Sequence, residues 1–167
     1  MAVGETGLDF HRDLSPRKDQ ERAFRAHIGL SRDSGKPLVV HCRDAWPEVL
    51  RLLEEGGAER VILHCFSGDR EVARECASRG YFVSFAGNLT YPGNDHLRQA
   101  AATLPLDRIL VETDSPFLAP QPLRGRDNAP ANVGLVVAAL ARARDEEVGA
   151  VARAVSANAR RAFPGLR

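Results

Sequence analysis

Apolar residues along the chain fall into two alternating patterns. Short β-branched or aromatic runs occur at Ala2-Val3, Leu38 to Val40, Val61 to Leu63, Tyr81 to Phe85 and Ile109 to Val111. Runs this short, bounded by polar and turn-forming residues, predict buried strands. Between them lie longer amphipathic segments. The first predicts a helix opened by Ser15-Pro16, with Ser as N-cap and Pro at the first helical position. It carries Phe24, Ile28 and Leu30 and stops near Gly35, ahead of Pro37. Further helices are predicted over 45–55, 69–78, 95–103, 132–144 and 146–163.

Strict alternation of strand and helix predicts an α/β fold with a parallel sheet. Five βα units fit into the 167 residues. A closed (β/α)8 barrel needs about 250 residues, roughly three units more at ~30 residues each. The expectation is therefore a single domain over 1–167 built as an incomplete TIM-barrel-like fold, about five of eight units. The first run starts at the first residues of the chain, which suggests that an element is missing before it. Five strands do not close around a packed centre, and two open sheet edges would invite aggregation.

The chemistry is concentrated where the runs stop. Ala2-Val3-Gly4 leads to Glu5, Leu38-Val39-Val40 to His41, Val61-Ile62-Leu63 to His64, and Ile109-Leu110-Val111 to Glu112-Thr113-Asp114. In parallel α/β folds the ligand site lies at the carboxyl ends of the strands, so these residues should converge. His41 and His64 are one unit apart, and Asp114 lies two units further on. A lone histidine after an apolar run is usually a hydrogen-bonded core residue. Four such groups at one level have no common packing reason. Imidazole nitrogens with carboxylate oxygens suit Zn, Mn, Fe or Co, and carboxylates also admit Mg.

Of the two acids after the last strand, Asp114 lies nearer the carboxyl end and is the better ligand. Glu112 is deeper and suits a supporting role. Asp9 and His11 either line the site or belong to a turn, and Trp46 is expected to pack. Strand alternation turns Cys42 and Cys65 away from the histidines, as small buried hydrophobes, and Cys76 packs in a helix. Without CxxC or HxxxH a zinc finger is not expected.

Basic and acidic residues nearly cancel, 23 against 22, for a formal charge of +1. Overall field is therefore no basis for gripping nucleic acid; phosphate recognition must be local or metal-borne. Arg124 and Arg126 lie in the loop Pro122–Pro130 after the Asp114 strand, where barrels often bind phosphate. Arg12 and Arg43 follow candidate ligands and could face substrate. Arg142, Arg144, Arg153, Arg160 and Arg161 are expected on solvated helix faces. No apolar run is long enough for a membrane span and no signal peptide is visible. With three cysteines, an odd number, the expectation is a cytoplasmic protein with reduced thiols.

Several ordered motifs, GETGLDFHRDLSP, VVHCRDAW, ILHCFSG, ILVETDSPFLAP, RGRDNAPANV and the closing SANARRAF, together resemble the TatD family of metal-dependent hydrolases over essentially the whole chain. The resemblance implies a TIM-like barrel with two divalent ions (Mg, Mn or Zn) and 3′-to-5′ exonuclease activity on DNA or RNA. It implies that Glu5 bridges the ions, that His41 and His64 hold one of them, and that Asp114 holds the other and takes the proton of the nucleophilic water. It makes Glu5 and Asp114 the catalytic pair, and Arg124 and Asn128 residues at the mouth, where they could contact substrate. Hydrolysis of another ester or amide, or an inactive half-barrel, are the competing expectations. The family's opening HxH pair has no counterpart in this sequence. The expectation is that the chain matches the C-terminal part of a TatD barrel, is a poor nuclease alone, and continues upstream in the intact protein.

Overall fold

The computed structural model describes residues 1–166. Five parallel strands form one sheet in chain order: β1 (Val3–Asp9), β2 (Leu38–Arg43), β3 (Val61–Leu63), β4 (Phe82–Phe85) and β5 (Ile109–Val111). Helices α1 (Arg17–Ser34), α2 (Trp46–Glu55), α3 (Arg70–Ser78) and α4 (Asp95–Thr103) make the crossovers, and α5 (Val133–Arg144) and α6 (Val148–Ala162) follow β5. The expected parallel α/β architecture of five units is what the chain adopts. Among the described residues no helix is long and apolar enough to cross a membrane.

Local chemistry sets the helix ends. Asp69 caps α3 by accepting the Val72 N–H at 2.9 Å. Gly35 ends α1 in the left-handed region, at φ 64°, where a glycine costs nothing. At the start of α1 the capping residue is Pro16, one position later than expected, and Ser15 makes no cap bond. Leu30 was assigned to the apolar stripe of α1 but is 55% exposed; the buried positions are Phe24, Ile28 and Ser31, spaced four and three apart.

The main core lies between the helices and one face of the sheet. It includes Leu8, Leu38, Val40, Leu63, Val83 and Ile109 from the strands, and Phe24, Ile28, Val49, Leu52, Leu97 and Leu140 from the helices. Trp46 packs as expected, its ring 4.9 Å from Phe66, which in turn lies 5.7 Å from Phe85. Cys42 and Cys76 are buried in this layer.

The opposite face carries a second, smaller apolar layer. Val39, Ile62, Phe82 and Leu110 meet Ala159, Ala162 and Phe163 at the end of α6. The closing motif docks there through Asn158, whose Nδ2 donates to the carbonyls of Leu106 (2.8 Å) and Ile109 (2.7 Å). Arg161 donates to Asp107 O and Asn158 Oδ1, and Arg144 donates to Ala101 O and Leu104 O at the end of α4. Arg144, with its side chain 10% exposed, braces the end of α4, contrary to the expectation of a solvated position, while Arg161 is exposed as expected.

This layering places the polar residues. Two positions on from Val39, Ile62 and Leu110 come His41, His64 and Glu112. With a side-chain period of two, the apolar floor on this face is followed directly by a polar layer towards the carboxyl ends.

Candidate metal centre

β1 is longer than its apolar residues suggest. It runs to Asp9 and pairs with β2 as far as Asp9 and Arg43, with a register irregularity between Val3 and Thr6. Glu5 is thus inside a strand. Leu8 points into the core, so Glu5, Gly7 and Asp9 share the opposite face, beside Val39, His41 and Arg43 of β2. The glycines of GETGLD disguise this strand. Gly7 (φ 143°) sits so close to β2 that a Cβ would meet the His41 carbonyl oxygen at 1.9 Å, and only glycine fits.

The structure brings the four expected residues together. Glu5 Oε1 lies 3.1 Å from His41 Nδ1 and 3.6 Å from His64 Nε2, and His64 Nε2 lies 3.6 Å from Asp114 Oδ1. Atoms bound about 2.0–2.2 Å from one ion stand roughly 3.0–3.5 Å from each other. Three donor pairs stand near these separations, Glu5 with each imidazole and His64 with Asp114, and such nitrogen and carboxylate donors suit a divalent metal. His41 lies within β2, His64 directly follows β3, and Asp114 sits three residues past β5 with φ 57°.

Two further acids back the histidines. Glu112 Oε2 is 2.9 Å from His64 Nδ1, and its other oxygen accepts the Cys65 N–H. Asp9 Oδ2 is 3.3 Å from His41 Nε2, while Asp9 Oδ1 accepts the N–H groups of His11 (3.0 Å) and Arg12 (2.8 Å). Asp9 therefore lines the centre. His11 points outward and contacts Asp44 at 3.0 Å.

The charges interact. Burial works against a protonated His64, but the Glu112 hydrogen bond and the charges of Glu112, Glu5 and Asp114 outweigh it and lift its pKa to about 8. Burial first, then the like charges of Glu112 and Glu5, raise Asp114 above the usual carboxylate range despite the two histidines. Asp9 goes the other way: burial would raise it, but the N–H groups of Arg12 and His11, with His41, hold it below that range.

Cys65 departs from the expected orientation. Its sulfur, a His64 nitrogen and a Glu112 oxygen lie within 4.8 Å of one another. β3 ends at Leu63 and Cys65 has φ 44°, so strand alternation no longer governs its side chain. This trio overlaps the centre, with which it shares His64. Glu112 is already engaged by His64 and Cys65 N–H, and burial with the charges of Glu112, Asp114 and Glu5 keeps the thiol protonated.

The residues expected at the mouth separate into two kinds. Asn128 is 6% exposed and fully engaged: Nδ2 donates to Thr113 O (2.8 Å) and Phe117 O (2.9 Å), and Oδ1 accepts from Ala129 N and Asn132 Nδ2. Its whole hydrogen-bonding capacity goes into bracing the loop behind Asp114, which corrects its assignment to substrate contact. Arg124 remains exposed, with its guanidinium 4.4 Å from the centre of the Tyr91 ring. Arg43 shares the strand face of His41, and Arg12 lines an open cleft of about 380 Å³ with Glu5, Asp9, Gln20 and His41.

Comparison with known proteins gives the family and the fold. The family model for TatD related DNase matches residues 1–164. The metal-dependent hydrolase YabD of Bacillus subtilis, itself uncharacterized, is 40% identical over 98% of this chain and 65% of its own length. The 3′-5′ ssDNA/RNA exonuclease TatD of Citrobacter koseri is 35% identical over 98% of this chain and 65% of its own. The crystal structure of YJJV, a TatD homolog from Escherichia coli K12, superposes with a TM-score of 0.93 at 29% identity, covering 99% of this chain and 64% of that one. The chain thus spans slightly less than two thirds of the relatives it matches.

Proposed function

The chain belongs to the TatD-related DNase family, and from that premise we propose that the intact protein is a metal-dependent phosphodiesterase trimming DNA or RNA from the 3′ end. The observation that carries this reading is the position of Glu5: one carboxylate lies 3.1 Å and 3.6 Å from imidazoles on or just past two neighbouring strands, with Asp114 3.6 Å from the second of them. The exonuclease name borne by the Citrobacter koseri relative supports the substrate class.

Glu5, His41 and His64 would hold one divalent ion, which when bound supplies a Lewis acid for a phosphoryl oxygen and an acidified water. The remaining work falls to the chain itself. Asp114, with its raised carboxyl and exposed edge, is suited to accept a proton at the reacting centre. Arg12, which lines the open cleft beside Glu5 and His41, Arg43 on the strand face of His41 and the exposed Arg124 would orient the phosphodiester despite the neutral overall charge. Asn128 holds the loop that carries Asp114.

A second ion would have only Glu5 and Asp114 from this chain. The chain alone is therefore proposed to be a poor nuclease. The test is a 3′-labelled oligonucleotide with excess Mn²⁺ or Mg²⁺, given to this chain and to a chimera that adds the part of YabD this chain does not span. Metal-dependent 3′ trimming by the chimera, lost in His64→Ala, supports the reading. A chimera that cleaves p-nitrophenyl acetate but neither oligonucleotide nor bis-p-nitrophenyl phosphate would favour a carboxylic-ester hydrolase.

A further inference from the structure

The two imidazoles at the centre present opposite nitrogens to it. His41 turns Nδ1 to Glu5 and Nε2 to Asp9; His64 turns Nε2 to Glu5 and Asp114, and Nδ1 to Glu112. Only the outward contacts, His41 Nε2 with Asp9 and His64 Nδ1 with Glu112, have hydrogen-bond geometry. The two outer carboxylates are built alike. Each spends one oxygen on backbone N–H groups, Asp9 on His11 and Arg12, Glu112 on Cys65, and offers the other to an imidazole.

A neutral imidazole has one N–H and one lone pair, and an ionised carboxylate can only accept. The nitrogen whose contact with a carboxylate has hydrogen-bond geometry, the one facing Asp9 or Glu112, carries the hydrogen, which leaves the lone pair on the other. We propose that Asp9 and Glu112 are positioning residues that hold His41 and His64 in opposite tautomers, so that His41 Nδ1 and His64 Nε2 both direct lone pairs towards Glu5. The proposal deepens the metal reading above and rests on it for its purpose, though the tautomers can be observed without metal. Neither acid is among the proposed ligands. Each determines whether its histidine can be one.

Asp9→Asn and Glu112→Gln separate this role from simple bracing. The backbone N–H groups still require the amide oxygen, so the amide NH2 must face the ring. A donor there demands a lone pair on the same nitrogen and moves the hydrogen to the side that faces the centre. The variants keep shape and backbone bonds but reverse one tautomer each.

The readout is the long-range ¹H–¹⁵N ring correlation of the metal-free chain at about pH 9.5, where imidazoles are neutral, followed by Zn²⁺ calorimetry. Opposite tautomers are expected in the wild type, with His64 alone reversed by Glu112→Gln and His41 alone by Asp9→Asn. Zn²⁺ affinity should fall about 10–100-fold in each. Equal tautomers at the two wild-type rings would overturn the proposal, and that spectrum needs no variant to fold. So would amide variants with unchanged ring spectra and unchanged affinity. A wild type that shows the opposite tautomers yet binds no Zn²⁺ would retain the positioning roles and sink the metal reading instead.

Discussion

Gly7 and His41 face each other across β1 and β2 so closely that a methyl group on Gly7 would overlap the His41 carbonyl oxygen, at 1.9 Å. The approach fixes the spacing of the two strands that carry Glu5 and His41. Gly7→Ala must both adopt φ 143° and push β2 away, and is expected to cost more than about 2 kcal/mol. Urea denaturation measures the loss. A variant as stable as the parent would show that the strand pair is looser than described.

Metal binding should saturate at one divalent ion per chain, since one ion draws on both histidines and a second would have only Glu5 and Asp114. His64→Ala and Glu5→Gln should each reduce Zn²⁺ affinity by at least about tenfold, because each removes a donor to the shared centre. Calorimetric titration gives stoichiometry and affinity together. Two tight ions in the wild-type chain would contradict the assignment.

Without metal, stability should fall as pH rises. The pKa of His64 is lifted from 6.5 to about 8 on folding, so the unfolded chain binds fewer protons between those values. The stabilisation is complete below pH 6.5 and is lost as pH climbs through 8. A shift of this size corresponds to about 2 kcal/mol. Urea midpoints at pH 6 and pH 9 in EDTA, compared between wild type and His64→Gln, isolate the effect. An identical pH slope in the two proteins would remove His64 as its source.

Asn128 and Arg124 sit in one motif but should respond differently. Asn128→Ala leaves three partly buried backbone groups without their side-chain partner and is expected to cost about 3 kcal/mol. Arg124→Ala gives up an exposed stack on Tyr91, about 0.5–1 kcal/mol. In the chimera, Arg124→Ala should raise KM for an oligonucleotide. Melting temperatures and steady-state kinetics test both arms, and equal destabilisation by the two variants would refute the division.

Much of this was legible from residue pattern. α4 occupies the expected Asp95–Thr103, and β3 and β5 coincide with their apolar runs, because the residues there are buried and carry strong local signals. The convergence of Glu5, His41, His64 and Asp114 followed from their common position along successive strands. β1 was read too short because Gly4 and Gly7 look like turn residues, whereas they serve close strand approach. That error hid Asp9 as the partner of His41. Cys65 was misplaced because alternation was carried past the end of an extended segment. Asn128 was misassigned because a polar residue in a polar loop shows nothing of how many backbone groups it will satisfy.

Every strand of the sheet is hydrogen-bonded to the strand next to it in the chain. Such an order keeps contacts local in sequence, with each βα unit laid onto the one made just before it. Assembly can then follow synthesis from the ribosome, unit by unit, with little waiting for distant partners. The end of α6 returns beneath Val39 and Ile62 and ties the last unit to the early ones. That late, long-range closure is where the topology places the slow step of folding. Variants at Ala162 or Phe163 should therefore lengthen the life of a partly assembled sheet more than variants in any crossover helix.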